Sequence, residues 1–304
     1  MAKQAKPKTY IVRGTINDIN LRFYEAYDPA FLFNKALALH CITTDKDRFS
    51  NALSECEGAK PYLNDQYFGS LRAELHFLES HQFEAFFALM LAVFQDKPHW
   101  LYLTEYTNAQ VKAAAQQFID KEIVALTGGM LDNERAFAQW AFYYGQQPVD
   151  DALTDWWHRN LDNACWLVRR MATRYLTAPE YNAYKHGMRI IARPSLWSLN
   201  DPEDPENPII IHQESEDSIT YLDVRDIGEG GLTLREVTKQ FNPAESFYYL
   251  EQMYYMLLVM TKVRHAKLAG IEDLGNLPVR WFADLDKDSV ERLSFGNASL
   301  TMAL

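Results

Sequence analysis

Cysteine is scarce in this chain: three residues in 304, Cys41, Cys56 and Cys165. They form no CxxC and no even framework, which excludes a disulfide scaffold and points to reduced thiols in a cytoplasmic protein. Long apolar runs are also missing. The longest, Ala85 to Phe94, has ten residues, where crossing a bilayer takes roughly 18, so no membrane partner is expected. The leading MAKQAKPK is basic with no apolar stretch behind it, and does not read as a secretory signal. There is no phosphate-binding glycine loop, no zinc signature and no nucleophile elbow, so no motif calls for a metal or a cofactor. What is abundant is apolar surface. Hydrophobic residues make up 48% and aromatics 13%, enough for one large domain or two ordinary ones, which excludes disorder and low complexity.

The net charge of −11 is unevenly spread. Ten acids and a single base, Arg225, lie between Ser198 and Gly230, so that window carries nearly all of the excess. Just upstream, Arg169, Arg170, Arg174, Lys185, Arg189 and Arg193 accompany one acid, Glu180. Either this basic stretch faces phosphate, or it pairs with the acidic segment of the same molecule; the second is the cheaper arrangement. The low overall charge does not argue against a nucleic-acid partner, because binding follows local patches.

Helical periodicity dominates the pattern. Residues 1–9 read as a disordered tail, 10–16 as a short strand or arm, and Asn17-Asp18 as a turn. Pro29 opens a helix through Leu39, and Asp45 or Asp47 caps another over 45–57. A long helix runs from Leu71 to Gln95 and ends at Lys97-Pro98. Asn108 caps a helix to about Leu126, where Gly128-Gly129 stops it. A helix from Asp132 ends near Gly145, and a long one starts at Asp150 or Thr154. Pro179 interrupts that one, and a short helix with Tyr181 and Tyr184 follows. Residues 190–227 change character: IIARPSLWSL, IIIHQ and SITYLDV predict a small antiparallel hairpin or meander. Within it, the acidic stretch 200–207 reads as an extended solvated loop rather than a calcium site, and Gly228-Glu-Gly-Gly231 reads as a turn. Thr233-Leu-Arg-Glu236 has the form of a capping box opening a helix. Asn242-Pro243 starts a long helix to about Lys267. The expected fold is mainly α: one mostly helical domain over 10–304, carrying a β insertion at 190–232.

Polar groups inside apolar faces are the candidates for function. On the helix over 71–95, Glu74, His81 and Glu84 share one side at about 100° per residue. Glu84 sits within an apolar run and needs a partner, because a buried unpaired carboxylate costs several kcal/mol. A carboxylate–histidine metal site is one reading, but the order His81-x-x-Glu84 reverses the Glu-x-x-His of di-iron bundles and has no second copy. A buried polar cluster that sets helix register is the plainer one. Cys165 reads as inert core. The aromatic stretch Phe247, Tyr248, Tyr249, Tyr254 and Tyr255 serves either the core or a dimer face.

The second feature is Tyr181-Asn-Ala-Tyr-Lys-His-Gly187, in which Asn182 and His186 stack four residues apart. NAYKHG on a helix of a mainly α protein resembles the signature of the HEPN superfamily, in which an arginine is followed after four to six residues by histidine, commonly as Arg-Asn-x-x-x-His. The likeness covers these six or seven residues and general helicity, and Tyr181 stands where the arginine belongs. It implies metal-independent RNA cleavage at a homodimer interface, in a bacterial defence or toxin–antitoxin setting. Only Asn182 and His186 transfer from the motif. Histidine has the pKa to take the 2′-OH proton. Lys185 and Arg189 would stabilise charge on the phosphate, with Glu84 and His81 behind them. The expectation is therefore an RNA-directed protein, a ribonuclease or an inactive member. A non-catalytic scaffold or oligomerisation protein is the alternative, and a carboxylate–histidine metal protein the third.

Overall fold

The computed structural model describes residues 15–54, 56, 58, 63–95, 97–147, 150–178, 180–185, 190–191, 197–201, 204–212, 217–226, 232–271, 281–293 and 299–303. For 182, 183, 293 and the strand positions within 190–212, 222–235 and 299–303 it describes the backbone alone. The described residues form twelve α-helices and six strands, a mainly α protein with small antiparallel sheets.

The helical body is built around α4 (Asp65–Ala92) and α11 (Pro243–Leu268), which pack along each other. Asn64 caps α4 by accepting from the Tyr67 N–H, and Asn242 caps α11 ahead of Pro243, which occupies a position where a missing N–H costs nothing. At 28 residues, α4 is about 42 Å long. Around these two lie α1 (Ile16–Ala26), α2 (Phe31–Thr44), α3 (Lys46–Leu53) and α5 (His99–Glu105) on one side. On the other lie α6 (Asn108–Ile119), α7 (Ile123–Leu126), α8 (Glu134–Tyr143) and α9 (Thr154–Leu176). Phe83, Phe86, Phe87, Phe118, Phe137 and Phe142 are almost fully buried between them. Fully burying such a ring is worth about 1.5–3 kcal/mol. Of the Tyr-rich stretch, Tyr249 is buried in this core, whereas Phe247, Tyr248, Tyr254 and Tyr255 are half-buried, Tyr254 stacking on Phe33 at 4.9 Å. Arg264 is buried as well, donating to the carbonyls of Trp140 at 2.9 Å and Ala141 at 2.5 Å. Its charge thus meets the negative end of the α8 dipole.

Several boundaries differ from the sequence reading. Asn17 and Asp18 are not a turn: Thr15 and Asp18 form a capping box, and Ile16 is already helical in α1. Phe23 and Tyr24, a few residues on, supply the buried face that makes this short helix stable. Residues 10–14 lie outside the described residues. Thr107, not Asn108, caps α6, and Asn108 accepts instead from the Tyr175 hydroxyl at 2.8 Å. The helix expected from 108 to 126 is split at Asp120–Glu122, where Lys121 takes a left-handed conformation (φ 61°).

The β region is larger than expected. Strands β1 (Ile190–Ile191), β4 (Ser218–Asp226), β5 (Leu232–Gln240) and β6 (Ser299–Ala303) form a four-stranded antiparallel sheet in the order β1-β4-β5-β6. Strands β2 (Trp197–Asp201) and β3 (Asp204–His212) form a separate hairpin. The acidic stretch 200–207 is therefore largely strand, with Asp201 opposite Asp204. The helix expected from Thr233 is instead β5, so the insertion does not end at 232. Nine consecutive pairs with β4 form there, and β-branched Val237 and Thr238 are buried. Cross-strand pairing and burial outweigh a local cap. The C-terminal segment adds β6 to the same sheet, and α12 (Lys287–Leu293) precedes it. Gly228–Gly231 lies outside the described residues.

The sheet closes against the first half of α4 and against α10 (Glu180–Lys185). Ala73 and Phe77 of α4, Tyr181 of α10, Ile219 of β4 and Phe241 form a small apolar cluster there, apart from the main core.

Candidate functional site

Two carboxylates of α4 hold α10 in place. Glu84 accepts from the Tyr181 hydroxyl at 3.1 Å and pairs with the Lys185 ammonium at 2.5 Å. Nearly three turns back, Glu74 accepts from the Tyr184 hydroxyl at 2.7 Å and pairs with Lys35 at 2.6 Å. The ring of Tyr184 stacks on Phe77 at 4.2 Å, and the Lys185 ammonium lies 4.5 Å from the Tyr181 ring centre. Burial, with Glu74 beside it, pushes the Tyr184 phenol up to about 12. Burial, with Glu84 beside it, pushes Tyr181 up as well. Both phenols therefore stay protonated and donate.

Each expected site residue now has a place. Lys185 and Glu84 meet directly. His81 is exposed on α4, within electrostatic reach of Glu84 and Lys185, and burial of part of its ring lowers its pKa. Asn182 is on α10, with its side chain outside the described residues; His186 and Arg189 lie outside them altogether. Of the basic stretch, Arg189 and Arg193 lie outside the described residues, as do the acidic side chains of the insertion other than Asp217. Arg169 pairs with Glu134, Arg174 with Glu79 and Glu245, and Lys185 with Glu84, all on helices of the body. From the acidic window, Asp217 reaches back to the body and pairs with Arg72 at 2.5 Å.

Beside α10 lies a cluster that sequence reasoning missed. Helix α4 contributes His76 and Glu79, α9 Arg174, α10 Glu180, β5 Lys239 and α11 Glu245 and Ser246. Arg174 forks onto Glu79 and reaches Glu245 at 2.7 Å. His76 Nε2 meets Glu180 Oε1 at 3.1 Å, and its Nδ1 lies 3.3 Å from Ser246 Oγ. Lys239 pairs with the same Glu180 oxygen at 2.6 Å. Phe241 stacks on the imidazole at 4.9 Å. His76, Glu79, Glu180 and Glu245 are all nearly or fully buried, and a cavity of about 230 Å³ separates parts of the cluster.

The charges set one another's protonation. Burial opposes ionisation of His76, but its hydrogen bond to Glu180 and the Glu79 carboxylate 3.7 Å away outweigh it and raise the imidazole pKa. Burial likewise opposes ionisation of Glu79, but Arg174 and His76 bring it down to about 2. Glu180 also falls to about 2, against burial, through His76 and Lys239. With His76 protonated, three cations face three carboxylates, so the cluster is balanced and rigid. Among the described residues no group of three or more His, Cys, Asp or Glu side chains is arranged to hold a metal ion. Where His76, Glu79 and Glu180 converge, the Arg174 and Lys239 cations occupy the positions next to the carboxylates.

One sequence signal pointed here without being followed. Glu180 is the single acid in a basic stretch, and Glu79 follows His76 by three residues, one helical turn. The partners on β5 and α11 are 59 and 65 residues from Glu180, beyond any local pattern. No helix among the described residues is long and apolar enough to cross a membrane. No family model, curated protein or solved structure matches this chain.

Proposed function

We propose that this chain is a HEPN-like, RNA-directed protein acting at the C-terminal end of α10, with a homodimer as the working form. The observation that supports this is the docking of α10. Two carboxylates of α4 hold its Tyr181, Tyr184 and Lys185, so the Asn182-x-x-x-His186 motif starts on an anchored helix. His186 follows Lys185 directly in sequence and supplies a base of suitable pKa for a 2′-OH. Because Lys185 already pairs with Glu84, charge on the phosphate falls to Arg189. The test is incubation of purified protein with mixed RNA in chelator, beside a folded His186→Ala variant. Cleavage by the wild type alone supports the reading; cleavage by neither removes the catalytic part of it.

A second reading, a non-catalytic scaffold, is favoured by one specific observation. Tyr181, at the position of the family arginine, is buried and bonded to Glu84 rather than offered to a substrate. On this reading His186→Ala changes stability or oligomeric state, measured by sedimentation, and leaves RNA binding unaffected.

A further inference from the structure

Away from α10, helices α1, α2, α4, α5 and α11 enclose an open-sided cavity of about 480 Å³. Its walls are aromatic and aliphatic: Phe23, Tyr27, Phe31, Trp100 and Leu257. Phe31 and Trp100 are 70% and 55% exposed, large apolar groups left at the mouth of a pocket rather than in the core. An apolar cavity of about 150 Å³ already admits benzene, so this one has room for a fused bicyclic ring.

Its polar lining is the exposed Asp28 and His81 and one buried group, Gln82. Gln82 is 1% exposed. Its amide N–H reaches the Leu250 carbonyl at 3.5 Å, the outer limit of a hydrogen bond, and its carbonyl oxygen has no partner among the described residues. Leaving a buried carbonyl unpaired costs about 1–3 kcal/mol. The terminal torsion of glutamine is soft, so a small rotation of an amide held by one long contact turns that oxygen toward the cavity. Apolar walls with one buried polar anchor are the usual make-up of a small-molecule site.

We propose that this cavity binds an uncharged, planar aromatic molecule of one or two rings that donates a single N–H or O–H to the Gln82 carbonyl. A charged ligand is disfavoured by the apolar walls, and the unpaired acceptor selects a donor. The proposal does not rest on the RNA reading, although His81 lines this cavity and also stands behind Lys185 in that reading.

Indole and benzofuran, titrated calorimetrically into the full chain, form the test, since they share size and shape and benzofuran has an oxygen in place of the N–H donor. Indole should bind, with benzofuran at least about five- to tenfold weaker, the worth of one hydrogen bond. Gln82→Met should remove that difference. Ala85→Phe, which fills the cavity from α4, should abolish binding of both while the unfolding midpoint is kept. No binding of indole by the folded wild type, equal affinity for the two probes, or binding unaffected by Ala85→Phe would each overturn the proposal. Because the two probes are compared on the wild type, the result stands even if Gln82→Met fails to fold.

Discussion

The two halves of α4 meet the rest of the molecule by different physics. From Phe86 to Ala92, and on through Val93 and Phe94 just past its end, the helix packs into the main apolar core, and its rings stack across helices, Phe86 on Phe142 at 6.4 Å and Phe94 on Phe137 at 5.1 Å. From Arg72 to Glu84 four buried positions, Arg72, His76, Glu79 and Glu84, meet charged or polar partners on other elements: Asp217, Glu180, Arg174, Lys185 and Tyr181. An apolar contact can be made with many partners at small cost. A buried ion can be made with very few, because any partner lost leaves an uncompensated charge. The body is therefore held by bulk burial. The junction between α10, the sheet and α4 is held by identity, and so has one arrangement.

The largest expected effect breaks the junction. Arg174→Ala leaves Glu79 and Glu245 buried without their shared cation, and should cost about 3–5 kcal/mol in urea unfolding. Phe86→Ala in the body should cost about as much, 3–5 kcal/mol. The two separate when partners are also replaced. Arg174→Met with Glu79→Leu and Glu245→Leu should recover most of the loss, since removing the Arg174 cation together with both of its carboxylates also removes their desolvation cost. A triple variant as unstable as Arg174→Ala would show that the network contributes more than mutual compensation.

The pH profile sharpens the same contrast. Glu79 and Glu180 ionise near pH 2 in the folded protein and near their ordinary 4.5 when unfolded. Their contribution is present above 4.5 and is lost as pH falls from 4.5 toward 2. The His76 pKa is raised above its ordinary 6.5 on folding. Its contribution is present below 6.5 and is lost as pH rises through the folded value. Stability should thus rise from pH 2 to 4.5 and decline above 6.5. His76→Gln should flatten the alkaline decline, whereas Phe86→Ala should lower the whole curve and keep its shape. An alkaline decline retained in His76→Gln would assign it to another group.

The same contrast explains what was legible in the sequence. The long helices of the body and the Asn242-Pro243 start are local signals, and the mainly α fold with its antiparallel hairpin follows from them, whereas the Asn64 and Asn133 caps stand apart from the starts at Leu71 and Asp132 that the periodicity suggests. Glu84 was legible as a carboxylate needing a partner, because burial can be inferred from neighbours on one helix. Its partners, Tyr181 and Lys185, belong to another motif, 97 and 101 residues further along the chain. Strand β5 was misread because Thr233–Glu236 satisfies a helix cap locally, while its pairing with β4 and β6 is decided at a distance. The cluster around His76 stayed hidden for the same reason: His76 and Glu180 are 104 residues apart.

The smallest effect lies on the surface and tests whether charge itself, rather than burial, sets the junction apart. Arg135 forks onto both oxygens of Asp162 at 2.6 and 2.7 Å, a geometry as good as any in the buried network. Both side chains are nearly half exposed, so water solvates either ion when its partner is removed. Arg135→Ala should therefore cost only about 0.2–1 kcal/mol, and that loss should shrink as salt is raised toward 1 M. The loss from Arg174→Ala should hardly change over the same range, because screening does not reach a buried carboxylate. A surface pair that costs as much as the buried one would mean that geometry, not desolvation, makes the junction specific.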